Sequence, residues 1–267
     1  MKALLHIVCD YAPGDLAFSE ICSALARHLP AEYAWHMTSV ASFETVATGF
    51  IVSQLGLQEP ELRPDPMIVY ANCAPRKDRS AARKNNEGEG LLYGVLRNGV
   101  PVVAVNSGYS LSFVRDSFKE LWSVNVNKGG SQFRSRDIFP PVVGMAAKGR
   151  VDFLNRRLDP IKVIPPPPPS AVAYVDSFGN LKTTIRTGDK LVKGLKAGQR
   201  VFARINGVRF AMTVATGSFN VREGDIAFSP GSSGHSRRFW EIFQRGSSAW
   251  ETFRRPSSGA PIEIELT

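Results

Sequence analysis

The stretch Pro165-Pro166-Pro167-Pro168-Pro169-Ser170-Ala171-Val172-Ala173-Tyr174-Val175-Asp176-Ser177-Phe178-Gly179-Asn180-Leu181 decides how this chain is divided. Consecutive prolines cannot continue a helix or a central strand, so they form a stiff extended spacer. After them, strand-type residues run into a carboxylate, an aromatic ring, a glycine and an amide. Gly179 admits a turn conformation that a side chain resists, so the segment reads as a strand entering a tight turn. The Asp176 carboxylate can accept from an ammonium or a ribose hydroxyl. The Asn180 amide carries the donor and acceptor that an adenine edge needs. A purine-containing small molecule is one reading of the segment; a hairpin turn closed by an Asx-type local bond is the other.

On the C-terminal side of the prolines, short strand candidates at 171–175, 181–185, 200–205, 209–215, 225–228, 239–243 and 261–266 alternate with Gly-rich turns. That pattern predicts a small all-β domain over 171–267, a barrel or sandwich. On the N-terminal side the pattern is different. Residues 4–9, 67–71 and 100–105 read as buried strands, and residues 16–28, 43–55 and 90–97 as helices. Strands alternating with helices predict an α/β layered domain over 1–164 with a mainly parallel sheet. Residues 165–170 are then a proline-rich linker, and 77–90, rich in charge, Asn and Gly, a surface loop.

The 267 residues carry 33 Lys and Arg against 24 Asp and Glu, a formal charge of +9. This favours anionic partners, but the basic residues are scattered and form no nucleic-acid motif, which speaks against nucleic acid. No apolar run approaches the ~20 residues of a membrane span. The first residues read as a buried strand rather than a signal peptide, because the apolar run is short and ends on Asp10. Cys9, Cys22 and Cys73 and the four histidines show no metal spacing, so no catalytic metal is expected. Three cysteines cannot all pair, which suggests free thiols in a reducing, cytoplasmic setting.

With both domains in view, six segments in order carry a family likeness. They are Asp10-Tyr11-Ala12-Pro13-Gly14-Asp15, Glu44-Thr45-Val46-Ala47-Thr48-Gly49, Asn106-Ser107-Gly108, the run from Phe133 to Val142, the run from Val175 to Leu181, and Ser232-Ser233-Gly234 with Trp240 to Ala249. Together they resemble the S-adenosyl-L-methionine hydroxide adenosyltransferases and their halogenase relatives, the fluorinase and chlorinase. The resemblance implies an α/β/α N-terminal domain and a C-terminal β-barrel. It implies a homotrimer that binds S-adenosylmethionine as substrate, with no further cofactor, at inter-subunit sites. By position, Asp15 would hold the ribose hydroxyls, with Asp10, Asn106 and Phe133 nearby. Asp176 would meet the methionine amino group, Asn180 the adenine, and Phe178 stands between them. Ser233 would lie at the methionine end, and Ser248 and Ala249 at the adenine. Each position also has a plainer role open to it: Asp15 as a helix cap, Phe133 as core, Ser233 as part of a turn.

The family reaction is displacement at C5′ of the ribose by water, hydroxide or a halide, with methionine leaving as a neutral thioether. The sulfonium is already an activated leaving group, so the protein has to align the nucleophile and strip its water. Hydrolytic members are expected to surround the water with an Asp, an Arg and a His. Here Asn72 stands at the Asp position, Arg79 at the Arg position and Arg134 at the His position, with Ser135 beside it. Asn72 cannot take a proton and Arg134 stays protonated. Loss of a general base typically costs ~10²–10⁴-fold in rate. The leading expectation is therefore an enzyme cleaving S-adenosylmethionine to adenosine and methionine. A binding protein that has lost turnover, and adenosyl transfer to another anion such as a halide, are the alternatives.

Overall fold

The computed structural model describes residues 3–75, 77, 80–82, 88–126 and 131–266. The chain divides into two compact units, Met1–Pro166 and Pro167–Thr267, so the division falls inside the proline run. The fold is mixed α/β, built on two seven-stranded sheets with few helices.

In the first unit the elements run β1 (Ala3–Cys9), α1 (Leu16–Ala26), β2 (Tyr33–Ser39), α2 (Thr45–Gly56), β3 (Met67–Asn72), β4 (Leu91–Leu96) and β5 (Pro101–Val105). They continue with β6 (Phe118–Val124), α3 (Arg134–Asp137), α4 (Phe139–Ala147), β7 (Leu154–Leu158) and α5 (Pro160–Val163). The sheet order is β2-β1-β3-β5-β4-β6-β7. Every residue of β3 is buried, as expected of a central strand covered on both faces. Ile68 and Tyr70 join Leu5, Ile7, Ile21 and Phe139 in the core beneath α1 and α4. From the other face, α2 packs on β1 and β3.

Two expectations need correction. Residues 90–97 do not form a helix; β4 occupies them. A continuous apolar run of this length fits a buried strand as well as a buried helix. The deciding signal is Asn98-Gly99, a turn pair that ends the three-residue loop Arg97-Asn98-Gly99. Leu96 N–H donates to Val100 O at 2.9 Å across it. Nor is the sheet mainly parallel. The pairs β1–β2, β1–β3 and β3–β5 are parallel, whereas β4–β5, β4–β6 and β6–β7 are antiparallel. The hairpin is the reason: β4 lies antiparallel between β5 and β6, and from there the sheet proceeds by reversals.

The second unit runs β8 (Val172–Val175), β9 (Leu181–Arg186), β10 (Arg200–Ile205), β11 (Val208–Val214), β12 (Ile226–Pro230), β13 (Phe239–Gln244), α6 (Ala249–Thr252) and β14 (Ile262–Leu266). Its sheet order is β14-β10-β11-β12-β13-β9-β8. All neighbours are antiparallel except β11 and β12. The two ends of this sheet meet at an isolated bridge between Ala171 and Pro261. Val172 N–H donates to Ala260 O and Ile262 N–H to Ser170 O, both at 2.9 Å. Val201, Phe228, Ile242 and Phe253 anchor a separate core here.

Candidate functional site

Strand order fixes where a site can form in the first unit. The connection from β1 through α1 leads to β2 on one side, and the return through α2 leads to β3 on the other. Such a switch point leaves a crevice outside the carboxyl ends of the neighbouring strands. Asp10 and Tyr11 follow β1 there, Asn72 ends β3, and Asn106 follows β5. Cys9 and Asn72 lie side by side in the ladder.

A buried polar chain fills this position. The Tyr11 hydroxyl donates to Ser135 Oγ at 3.3 Å, and Ser135 Oγ donates to Asn72 Oδ1 at 3.2 Å. Asn72 is 1% exposed and Ser135 7%. Asn72 Nδ2 and the Tyr70 hydroxyl are buried with no hydrogen-bond partner among the described residues. Residues two apart on a strand share a face, so both donors issue from the same side of β3. A buried donor left unmatched costs ~1–3 kcal/mol. Two of them beside a hydroxyl relay mark a place for an acceptor. Burial raises the Tyr70 phenol well above its ordinary range, so it stays a neutral donor.

The other sequence-predicted residues of this unit have local tasks of their own. Asp10 Oδ2 accepts from Phe43 N–H at 3.1 Å and from the Cys73 thiol at 3.7 Å. Burial, then the Asp10 charge, pushes the Cys73 thiol up, which keeps it protonated. Asp15 is the N-cap of α1, its Oδ1 accepting from Ala17 N–H at 2.8 Å. Asn106 is exposed, and its backbone N–H donates to Gly90 O at 2.8 Å. Phe133 meets Tyr11 edge-on at 6.0 Å and carries the Arg136 guanidinium over its face at 5.2 Å. Arg134 lies over Phe139 at 5.1 Å and donates from Nη1 to Glu89 O at 2.8 Å. Arg79 and part of the 77–90 segment lie outside the described residues.

A groove of about 600 Å³ runs along α1, lined by residues including Ser19, Glu20, His28 and Arg136. It is more open than the buried chain, but the charges of Arg136, Glu20 and Asp137 in it are matched. Arg136 pairs with Glu20 at 2.8 Å and with Asp137 at 2.6 Å. Unmatched donors rather than concavity place the candidate site at Asn72.

The second unit holds the remaining predicted residues. Asp176 Oδ1 accepts from the N–H groups of Phe178 and Asn180, both at 3.0 Å. Its Oδ2 accepts from Asn180 Nδ2 at 3.0 Å and faces Lys182 Nζ at 3.4 Å. Asp176 and Asn180 therefore bond to each other in an Asx-type turn, with four donors around one carboxylate. Lys182 also pairs with Glu241, directly opposite on β13. Neither Lys182 nor Glu241 was singled out from the sequence; alternate residues on paired strands are the signal that could have found them. Gly179 has φ +76°, and a Cβ there would lie 2.1 Å from Ser248 Oγ. Ser248 caps α6, Ala249 is buried, and Trp250 N–H donates to Gly179 O at 2.9 Å. Phe178 is 78% exposed. Ser233 O accepts from Phe239 N–H at 2.8 Å.

No protein-family model and no curated protein matches this sequence. Among solved structures, the chain is similar to an uncharacterized conserved protein from Thermotoga maritima, at 21% identity and a TM-score of 0.77, over 97% of this chain and 99% of that one. It is also similar to a conserved hypothetical protein from Thermus thermophilus, at 18% identity and a TM-score of 0.68, over the full length of both. At these identities the likeness is one of fold.

Proposed function

We propose that the protein binds S-adenosyl-L-methionine and cleaves its C5′–S bond, giving adenosine and methionine. The observation that carries this reading is the buried Tyr11–Ser135–Asn72 chain at the β1/β3 switch point, with the Asn72 Nδ2 donor unmatched among the described residues. The order of motif segments along the chain supplies the ligand class. The proposal includes an α/β/α arrangement of the first unit, a closed barrel for the second, and a homotrimeric assembly.

The chain's own residues have distinct tasks under this reading. Asn72 and Ser135 orient the nucleophile, and Arg134 supplies positive charge. Asp10 and Asp15 serve the ribose, with Asn106 and Phe133 bordering it. In the second unit, Asp176 and Asn180 present the adenosyl-methionine turn, and Phe178, Ser233, Ser248 and Ala249 extend it. Asp176 already faces Lys182, so a ligand ammonium must share that carboxylate. In-line displacement needs no acid at the sulfur, since methionine leaves as a neutral thioether. Exclusion of bulk water strengthens every polar contact at the reacting carbon.

Incubation of purified protein with S-adenosylmethionine should yield adenosine and methionine in equal amounts by chromatography, with saturable binding by calorimetry. Binding without product would leave a ligand-binding protein, the reading favoured by a non-basic Asn72. No binding at all would remove both. Light scattering at three times the chain mass is expected for the assembly.

A further inference from the structure

We propose that Glu89 is the proton acceptor of this site, an inference that rests on the hydrolytic reading above. Glu89 is 5% exposed and is the only Asp, Glu, Lys or Arg among the buried described residues. Its Oε1 is buried, with no hydrogen-bond partner among the described residues. A buried carboxylate oxygen without a described partner is costly, and such groups gather at functional sites.

Its location fits the task. Glu89 lies just before β4, which is antiparallel to β5 with Leu91 opposite Val105. It therefore stands at the carboxyl ends of the parallel strands, where Gly90 O receives Asn106 N–H at 2.8 Å. Arg134 clamps the segment by donating to Glu89 O. A Cβ on Gly88 would lie 2.4 Å from Arg134 Nη1, so the guanidinium packs directly against the glycine. The next residue after Arg134 is Ser135, which bonds Asn72. One short helix thus ties the Glu89 segment to the buried chain. Among the described residues the edge offers two unmatched donors, Asn72 Nδ2 and the Tyr70 hydroxyl, and an unmatched acceptor, Glu89 Oε1. A water molecule needs both. Asn72 cannot accept the proton and Arg134 is already protonated; Glu89 can take it.

In the step, the water oxygen forms a bond to C5′ as the C5′–S bond breaks. The bonding pair leaves on sulfur, converting the sulfonium to the neutral thioether of methionine. The water proton passes to the Glu89 carboxylate and then to solvent. Arg134, Asp10, Tyr11, Tyr70, Cys9 and Cys73 are charged or titratable groups at this end of the sheet among the described residues.

The test is turnover of S-adenosylmethionine by the full chain as a function of pH, for wild type, Glu89→Gln and Glu89→Asp. Wild type should show kcat/KM rising with pH on a carboxylate limb. Glu89→Gln should lose about 10²–10⁴-fold in kcat together with that limb, while calorimetric affinity stays within about threefold. Glu89→Asp should retain part of the rate and the limb. Turnover with an unchanged limb in Glu89→Gln overturns the role of Glu89 and leaves the hydrolytic reading standing. Wild type that binds without turnover overturns both. A wild-type profile with no rising limb overturns the role even where Glu89→Gln does not fold.

Discussion

Asp137 and Asp176 use their oxygens in a similar way, to organise local backbone. Asp137 accepts from Arg136 Nε at 2.6 Å and from Ser131 N–H at 2.9 Å. The Arg136 bond first, and the Ser131 bonds second, hold its carboxyl well below the ordinary 3.8. A depressed folded-state value means stability that is present above 3.8 and fades as pH falls below it. Asp137→Asn should therefore lower Tm by about 1–3 °C at pH 7, because the pair is near the surface. The difference should shrink in melts below pH 3.8. An undiminished difference at about pH 2 would show that charge is not the cause. At this scale the sequence was legible in kind but not in partner. The Asx turn at Asp176 and the cap at Asp15 follow from short-range chemistry. Lys182, Glu241 and Glu89 acquire meaning only through strand pairing, which brings distant residues together.

The Asp176–Asn180 turn behaves as one piece with α6, because Gly179 O accepts from Trp250 N–H and the glycine face lies against Ser248. Gly179→Ala should cost about 1–3 kcal/mol in urea unfolding, from a positive φ and a steric clash together. Adding Ser248→Gly should recover the clash and leave the backbone strain, since Gly is a tolerable N-cap. Full recovery would mean the left-handed backbone costs nothing here. Among the elements, β1, α1, α2, β3 and β5 were readable because burial gives them clear apolar patterns. Strand β2 was not, since most of Tyr33–Ser39 is only partly buried or exposed. Strand β7 is Leu-Asn-Arg-Arg-Leu at the sheet edge, with polar residues where a core strand would be apolar. Strand β6 mixes Lys119 and Glu120 with Leu121 and Trp122. Edge position and single-face burial erase the signal on which periodicity depends.

Among the described residues, the two largest cores are gathered from separate stretches of chain. The second draws only on residues from Val172 to Ile264. A fragment spanning 167–267 should accordingly fold by itself, with a β-type circular dichroism spectrum and cooperative unfolding. A non-cooperative fragment would show that its core is insufficient alone. The proline run announced a change of architecture because prolines disfavour both helix and central strand. The mixed sheet of the first unit was hidden, since a hairpin in its middle turns on three residues, Arg97, Asn98 and Gly99.

The seam between Ala171 and Pro261 has a consequence for how the protein behaves in a crowd. Joined sheet ends present little unpaired backbone for another chain to extend. The N-terminal sheet keeps two outer strands, and they are unequally defended. On β7, Arg156 and Arg157 put charge on the rim. On β2, Trp35 is 42% exposed and no Lys, Arg, Asp or Glu is present. Resistance to self-association therefore depends chiefly on the β2 rim, the most weakly guarded border of this molecule.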